Sequence, residues 1–434
     1  MNTAVLAGRR FEPTANLAAT IALPSSSPRL SGGRILSQLL NARGHEVALL
    51  KGNRGIILRM VRKTSPQVTF MKDSAQPAHD SYATDCRFIQ TAQRRVEAMR
   101  SNEGDFLEPP VLSELEEALG QRVHKCELQG ENWRNRIYRI ELAHGVVVLA
   151  KQLVVGTDAM LQYQYEQLRV LAALQIPGLR VPKAFGLLNA KRLLLIEFAP
   201  GKTIEALAWT SEDVVPACEL AGKILARIQL ARTESICPMP IEMLERDLAA
   251  APWRLSLREK KILQSTLETL AAAEVRMGQV YYDYKPANLL FQNNELFLVD
   301  PPDVLWWGVH LWDFACFRSS MRRHLWRLSL RRPYDRHRRT SIRQSLVAFE
   351  RGYRAGITKM HPEPPVFALA VRLFELQRNA VLMTMQKAKV TLARQKMPVA
   401  SGKRLGNPLA NRLTLPLLEI EKRWLFQQLA RELP

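Results

Sequence analysis

The spacing of apolar residues changes along the chain. Up to about residue 110 the apolar runs are short, as in Val47 to Leu50, and a Pro/Ser cluster occupies residues 23–28. Beyond this point apolar residues recur at regular intervals, as they do in packed helices and strands. We therefore expect residues 1–110 to form a low-order N-terminal extension. The first 40 residues hold four Arg and one acid, Glu12, a composition that suits a disordered leader or an organelle transit peptide, and we favour the leader.

Strand-like alternation dominates the segment that follows. A helical pattern at Leu112 to Leu119 precedes it, and another follows from Asp158 to Leu174. The turn His144-Gly145 predicts a hairpin between two of the strands. The predicted strands are Val123 to Leu128, Arg136 to Leu142, Val146 to Leu153 and Leu193 to Phe198.

Beyond Pro200-Gly201 the pattern is mainly helical. Two short strand-like pieces interrupt it, at Leu289 to Phe291 and at Leu296 to Val299. Strands first and helices later indicate a bilobal α+β enzyme. We therefore divide the folded part into an N-terminal lobe at residues 111–200, a C-terminal catalytic lobe at 201–385, and a basic linker with a C-terminal helix at 386–434.

Composition narrows the class of protein. The chain has 434 residues, of which 47% are apolar and 24% charged, enough for a sizeable core in two or more lobes. Lys and Arg number 62 against 41 Asp and Glu, and the formal net charge of +21 attracts phosphates, anionic lipid or nucleic acid. Five cysteines without a C-x-x-C pair argue against a disulfide framework and a thiolate zinc site. Because no apolar run approaches the roughly 18 to 20 residues of a membrane span, we expect a cytoplasmic protein, at most peripheral on a membrane.

The residues that carry chemistry lie between positions 280 and 300. Phosphoryl transfer from ATP needs a carboxylate near the attacking hydroxyl, oxygen ligands for Mg²⁺ and cations on the phosphates. Asp283 can accept or orient the hydroxyl proton, and Lys285 can neutralise charge on the moving phosphoryl group. Asn288 offers Mg²⁺ an amide oxygen and Asp300 a carboxylate.

At these residues the chain resembles the protein-kinase-like superfamily, through D-x-K-x-x-N followed by a strand-borne Asp. The closer likeness is to the aminoglycoside phosphotransferase and choline kinase branch, whose catalytic loop commonly reads H-G-D-x-x-P-x-N. A second acidic motif of that branch, near G-D-x-x-x-D-L-A, corresponds here to Gly308 to Ala315, and its Asp, here Asp313, braces the catalytic loop. The resemblance covers roughly residues 115–385. It implies a bilobal kinase-like fold that binds ATP between its lobes and phosphorylates a hydroxyl-bearing acceptor, most simply a small molecule or a sugar-containing one.

The same resemblance implies the nucleotide-binding residues. Lys151, at the end of a strand-like run, would hold the ATP phosphates, and Glu166 in the following helix would orient it. Asn135 belongs to a turn segment that resembles the loop covering the phosphates. Phe198 and Ala199 occupy the hinge, whose backbone amide and carbonyl groups meet adenine.

Departures from the family pattern leave the substrate class open. Tyr281 replaces the usual His, and Asp300-Pro301-Pro302 replaces the D-F-G of protein kinases, so that Pro301 restricts Asp300 to extended backbone. Lys285 is the residue that Ser/Thr protein kinases have at its position. The alternatives are therefore a Ser/Thr protein kinase and a pseudokinase that binds nucleotide or a partner without turnover.

The run from Arg318 to Arg343 holds ten Arg and one acid, Asp335. Apolar residues at helical spacing within it predict a basic amphipathic helix. Its arginines would form either a solvated face of the C-terminal lobe or a surface for an anionic substrate or anionic lipid. Nucleic acid is less favoured because no base-recognition motif is present. A second amphipathic helix is predicted from Leu417 to Leu433, after the basic linker Ser401 to Arg412.

Overall fold

The structure, a computed structural model, contains two compact units, residues 1–75 and 76–434. In the first unit, β1 (His45–Gly52) and β2 (Gly55–Arg62) form an antiparallel hairpin. Two apolar runs joined by two residues favour such a hairpin. The low-order extension expected at residues 1–110 stays a prediction. The rest of residues 1–108 lies outside the described part of the chain. The structure describes residues 45–52, 55–62, 109–131, 135–154, 156–188, 191–210, 213–357, 359–394 and 408–434.

A five-stranded antiparallel sheet forms the first lobe of the second unit, with the spatial order β3-β4-β5-β8-β7. The periodicity of the sequence located both helices and four of these strands to within a few residues, and it missed β7. In chain order the elements up to residue 197 are α1 (Pro109–Leu119), β3 (Val123–Glu131), β4 (Asn135–Leu142), β5 (Val147–Leu153), α2 (Asp158–Ala173), β6 (Leu179–Arg180), β7 (Ala184–Leu188) and β8 (Leu193–Glu197).

Strand β8 is buried on both faces, because a helix covers each side of the sheet. Leu193 and Leu195 belong to the apolar cluster that includes Leu115 of α1. The intervening Leu194 belongs to a separate cluster with Leu161 of α2. This explains why β8 is a continuous apolar run rather than an alternating one.

The second lobe is mainly helical and contains the largest apolar core. The sequence predicted its helical character but not its short strands, apart from β12 and β13. Strands of two to six residues are too short for alternation to distinguish them from loops. In chain order the elements are β9 (Lys202–Thr203), α3 (Ile204–Thr210), α4 (Val214–Arg232), β10 (Thr233–Pro238), α5 (Ile241–Ala249), α6 (Leu257–Leu270), β11 (Glu274–Gln279), β12 (Leu289–Gln292), β13 (Glu295–Leu298), β14 (Trp307–Val309), α7 (Leu311–Arg331), α8 (Arg336–Gly356), α9 (Pro364–Arg394) and α10 (Pro408–Glu432).

Two small sheets of this lobe place the predicted catalytic residues. The first has the order β10-β11-β14 and the second has the order β6-β13-β12-β9. The loop between β11 and β12 carries Asp283, while β13 leads directly to Asp300. Strand β14 leads into α7, whose first turn carries Asp313.

The connection between the lobes follows β8 and ends at Gly201. This glycine has a φ of 108°, and a Cβ there would lie 2.8 Å from the carbonyl oxygen of Phe291 in β12. Both the positive φ and the close approach require glycine. The Pro-Gly pair identified in the sequence therefore marks the place where the chain passes from the first lobe onto the second.

The arginine-rich run differs from its prediction. It forms two helices, α7 and α8, separated near Pro333, rather than one. Arg318, Arg322 and Arg323 make ion pairs with glutamates of other helices, and Arg322 is only 5% exposed. These three side chains are therefore paired inside the lobe, which corrects the expectation of a solvated arginine face for them. Among the described helices, none is long and apolar enough to cross a membrane.

The C-terminal helix is part of the helical lobe. Helix α9 runs through the boundary expected at residue 385, and Leu425 and Leu429 of α10 belong to the main core of this lobe. Helix α10 spans the segment predicted to be helical and begins earlier, at Pro408. Residues 401–407 of the expected basic linker lie outside the described residues.

Candidate active site

The loop between β11 and β12 contains a residue in the left-handed region. Tyr282 has a φ of 70°, which is unusual for a large side chain and falls where the resembling family has the Gly of H-G-D. Its ring stacks on Trp306 with ring centroids 3.8 Å apart, and on Trp312 at 5.2 Å. The indole N–H of Trp312 also donates to the carbonyl oxygen of Tyr282 at 2.8 Å. These contacts hold the strained residue in place immediately before Asp283.

Asp313 holds the same loop through hydrogen bonds to its backbone. Its carboxylate is buried, and its two oxygens accept the backbone N–H groups of Tyr281 at 2.7 Å and of Tyr282 at 2.6 Å. The bracing role that the resemblance implied for Asp313 is thereby confirmed. Burial raises the pKa of Asp313 to about 7, although both hydrogen bonds favour its charged form.

Asp283 lies among cationic and amide groups. Its carboxylate contacts the amine of Lys285 and accepts a hydrogen bond from Nη2 of Arg378 at 3.1 Å. Asn288 donates from Nδ2 to the backbone oxygen of Asp283 at 3.1 Å. Burial alone would raise the pKa of Asp283, but the charges of Arg378 and Lys285 outweigh it and hold the pKa below its ordinary value. Asp283 is therefore ionised at neutral pH, which is the state that a group receiving a hydroxyl proton requires.

Tyr281 joins the catalytic loop to the segment that carries Asp300. Its hydroxyl donates to the backbone carbonyl of Asp300, and the N–H of Val299 donates to the carbonyl of Asn288 at 3.2 Å. Burial raises the pKa of Tyr281 well above its ordinary value, so the phenol remains a donor. The Tyr that replaces the family's His therefore fixes Asp300 relative to Asp283.

Lys151 pairs with Asp300 and not with Glu166. The Lys151 amine lies 2.6 Å from the Asp300 carboxylate, whereas Glu166 is exposed and accepts a hydrogen bond from Gln162. Two positions before Glu166 in α2, Gln164 is buried, and its side chain donates to the carbonyl of Pro301 at 3.4 Å. Two residues correspond to about 200° around a helix, which turns Glu166 to solvent when Gln164 faces the site. This corrects the expected Lys151–Glu166 pair.

The remaining predicted nucleotide residues lie at the edges of the first lobe. Phe198 and Ala199 follow β8 directly in the connection between lobes, where Ala199 is buried and Phe198 is 36% exposed. Asn135 begins β4 and lies opposite Leu153 of the strand that carries Lys151. Residues 132–134 of the predicted phosphate loop lie outside the described residues.

The side-chain oxygens near Asp283 fit the ligand preferences of magnesium. Asp300 offers a carboxylate that is 44% exposed. Asn288 directs its amide nitrogen to Asp283, which leaves its amide oxygen available to a metal ion. Magnesium in nucleotide sites takes one or two protein oxygens and completes its shell with phosphates and water. Asn288 and Asp300 therefore suit a metal that arrives with a nucleotide.

Sequence analysis missed Arg378. It lies on α9, 95 positions beyond Asp283, and its guanidinium also stacks over the ring of Trp312 at 5.4 Å. No local motif surrounds it. The available indication was a cluster of polar residues in the middle of α9, because buried polar side chains need partners from other elements. The cluster consists of Glu375, Gln377, Arg378 and Asn379, which are all buried.

Comparison with known proteins gives a family match and several distant structural matches. The model of a family described as the phosphotransferase enzyme family matches residues 125–346. Among solved structures, the aminoglycoside phosphotransferase APH(4)-Ia in complex with AMP-PNP and hygromycin B is 13% identical, with 75% of this chain and 98% of that chain covered and a TM-score of 0.44. A macrolide 2'-phosphotransferase from Brachybacterium faecium is 14% identical, with 71% of this chain and 98% of that chain covered and a TM-score of 0.41. A glucosamine kinase is 13% identical, with 72% of this chain and 97% of that chain covered and a TM-score of 0.37. No curated protein matches the sequence.

The family match spans just over half of the chain. It includes Lys151 on β5, the catalytic loop with Asp283 and Asn288, the metal-ligand candidate Asp300 and the bracing Asp313. The chain belongs to the phosphotransferase enzyme family.

Proposed function

We propose that this protein transfers the γ-phosphate of ATP to a hydroxyl group of a small-molecule or sugar-containing acceptor. The observation that carries the proposal is the position of the Asp283 carboxylate, which contacts both Lys285 and Arg378. The loop that carries it is hydrogen-bonded to the backbone of Asp300 through Tyr281. A base, two oxygen ligands and nearby cations are what phosphoryl transfer requires.

Each residue has a distinct role in this proposal. Asp283 would orient the acceptor hydroxyl and receive its proton, while Lys285 would stabilise charge on the transferred group. Asn288 and Asp300 would hold magnesium, which would neutralise charge on the phosphates. Lys151, which contacts Asp300 at 2.6 Å, would then bind the phosphates.

The nucleotide base would lie at the connection between the lobes. Backbone groups of Phe198 and Ala199 would contact adenine, and Asn135 would support the turn over the phosphates. Gln164 takes the buried position of α2 that was expected for Glu166. On this proposal the first lobe, residues 111–200, binds the nucleotide, and the lobe from residue 201 onward carries the chemistry.

Removing the charged metal ligand tests the nucleotide half of the proposal. Asp300→Ala should reduce the gain in ATP affinity that magnesium gives by at least about 10- to 100-fold, the cost of losing even an outer partner of a metal site. Isothermal titration of ATP with and without magnesium measures this gain. Glu166→Ala is the matched control, because Glu166 is an exposed carboxylate in the neighbouring helix and should leave the titration unchanged.

Equal magnesium dependence in Asp300→Ala and the parent would remove the metal role and favour the pseudokinase alternative. The acceptor class is tested separately, by ATP consumption with sugars, amino alcohols, antibiotics, glycolipids and proteins. Phosphorylation of protein alone would favour the Ser/Thr kinase alternative.

A further inference from the structure

A cavity of about 260 Å³ adjoins the catalytic loop on the side of Lys285. Neither Lys151, Asn288 nor Asp300 lines it, so it lies apart from the residues proposed to bind nucleotide. Among its described lining residues Glu205 of α3 is the one carboxylate. Its cationic lining residues, by contrast, are Lys285, Arg323, Arg327 and Arg378.

Three of these four cations have close acidic partners. Lys285 and Arg378 contact Asp283, and Arg323 lies 3.2 Å from Glu421 of α10.

Arg327 is less well neutralised. Its guanidinium lies 4.0 Å from Glu205, at the outer limit of an ion pair, and His324 contacts the same carboxylate at 3.2 Å. Burial lowers the pKa of Arg327, and the neighbouring charge of Arg323 lowers it further. The cavity wall thus has an excess of positive charge at Arg327, which is 46% exposed.

The rest of the lining suits the carbon skeleton of a polyol or sugar. Leu382, Met385 and Leu418 are apolar, while Ser320 and Thr414 supply hydroxyl groups. Small-molecule pockets commonly combine an apolar wall with a few polar groups that fix orientation. An acceptor with ammonium groups would meet like charges here, whereas a phosphate or carboxylate would meet guanidinium groups that match its geometry.

We propose that the acceptor held in this cavity is a hydroxyl compound that carries a phosphate or carboxylate group, with Arg327 as a ligand of that group. The inference rests on the proposed function and names its acceptor class. The acceptor hydroxyl oxygen forms the new bond to the γ-phosphorus and its proton passes to Asp283. The bond between the γ-phosphorus and the β,γ-bridging oxygen breaks, and its electron pair leaves with ADP.

The anionic group belongs either to a free metabolite or to a lipid headgroup, and matched acceptors distinguish these sources. ATP turnover is measured with glucose against glucose 6-phosphate and glucuronate, and with glycerol against glycerol 1-phosphate. Phosphatidylglycerol in phosphatidylcholine vesicles provides the lipid arm. We expect the anionic member of a pair to be preferred, and the arm with the higher kcat/KM identifies the source.

Arg327→Gln should raise the KM for the anionic acceptor by about 10- to 100-fold, as the loss of a charge-assisted hydrogen bond does, with kcat retained. The KM of the neutral counterpart should not change. Arg327→Lys should restore part of the loss. Arg331→Gln is the matched control, because Arg331 is exposed on the same helix and does not line the cavity. Thermal unfolding of each variant verifies that it is folded.

Preference for the neutral acceptor, or equal effects of Arg327→Gln and Arg331→Gln, would overturn the inference. Titration of glucose 6-phosphate, glucuronate and glycerol 1-phosphate into the protein saturated with AMP-PNP separates the two proposals. Arg327-dependent binding without any turnover would support the anion site and refute the proposed function. Turnover without Arg327-dependent binding or anion preference would refute the anion site and leave the function standing.

Discussion

Replacement of Asp283 by Asn is expected to lower phosphoryl transfer by roughly 10² to 10⁴ while ATP binding is retained, because a positioned base contributes that much to rate. The substitution keeps the side-chain volume. An amide cannot accept the hydroxyl proton, however, and it removes the charge that Arg378 and Lys285 contact. The residues proposed for the nucleotide are left in place, so kcat should change far more than ATP affinity.

Single-turnover rates and ATP titrations measure the two effects independently. Asp158→Asn is the matched control, since it makes the same chemical change at a carboxylate that is 64% exposed on α2. It should retain the parent rate. Phosphorylation by Asp283→Asn at the parent rate would show that Asp283 is not the base and would remove the basis of the proposed function.

The catalytic loop could be predicted from the sequence because its residues are close together in the chain. Asp283, Lys285 and Asn288 lie on a single loop, and the strand before Asp300 is short enough to bring that carboxylate back to them. The structure places the side chains of Lys285 and Asn288 within hydrogen-bond distance of Asp283. Asp300 is joined to the same loop through its backbone carbonyl, which accepts from the Tyr281 hydroxyl.

The site predictions that were wrong or missing depend on how separate elements pack against each other. Whether Glu166 or Gln164 faces the segment that follows Asp300 is decided by the rotation of α2 against the sheet, and both positions were compatible with a helical pattern. Arg378 reaches Asp283 from a helix 95 positions away. The sequence shows no local relation between them, so contact could not be inferred.

The prediction for the arginine-rich run was wrong for a related reason. Ten arginines in 26 positions indicate a surface, because isolated charges are rarely buried. The carboxylates that allow burial are Glu375 and Glu421, which lie 53 and 98 positions beyond Arg322 and Arg323 respectively. Burial of these charges thus depends on the packing of α7 against α9 and α10.

Glu375 is the centre of this buried charge network. It is fully buried on α9, and its carboxylate lies 3.0 Å from Arg322, 3.2 Å from Arg318 and 2.9 Å from Arg372. Burial would raise its pKa, but the three arginines outweigh burial and lower the pKa from 4.5 to about 2. Arg322 and Arg372 also lie over the ring of Trp424, so the network holds α7, α9 and α10 together.

Glu375→Gln should therefore lower the free energy of unfolding by roughly 3 to 5 kcal/mol, because it leaves the buried Arg322 and the partly buried Arg318 and Arg372 without their shared carboxylate. Urea unfolding at pH 7 measures the loss. Glu350→Gln is the control: Glu350 pairs with Arg318 but is 30% exposed, and its loss should cost about 0 to 1 kcal/mol. Since the folded pKa of Glu375 lies below its ordinary value, its contribution is complete above about pH 4.5 and is lost as the pH falls towards 2. The difference in free energy of unfolding between the parent and Glu375→Gln should therefore shrink over that interval. A difference that stays constant from pH 7 to pH 3 would contradict the network, and so would equal losses of unfolding free energy in Glu375→Gln and Glu350→Gln.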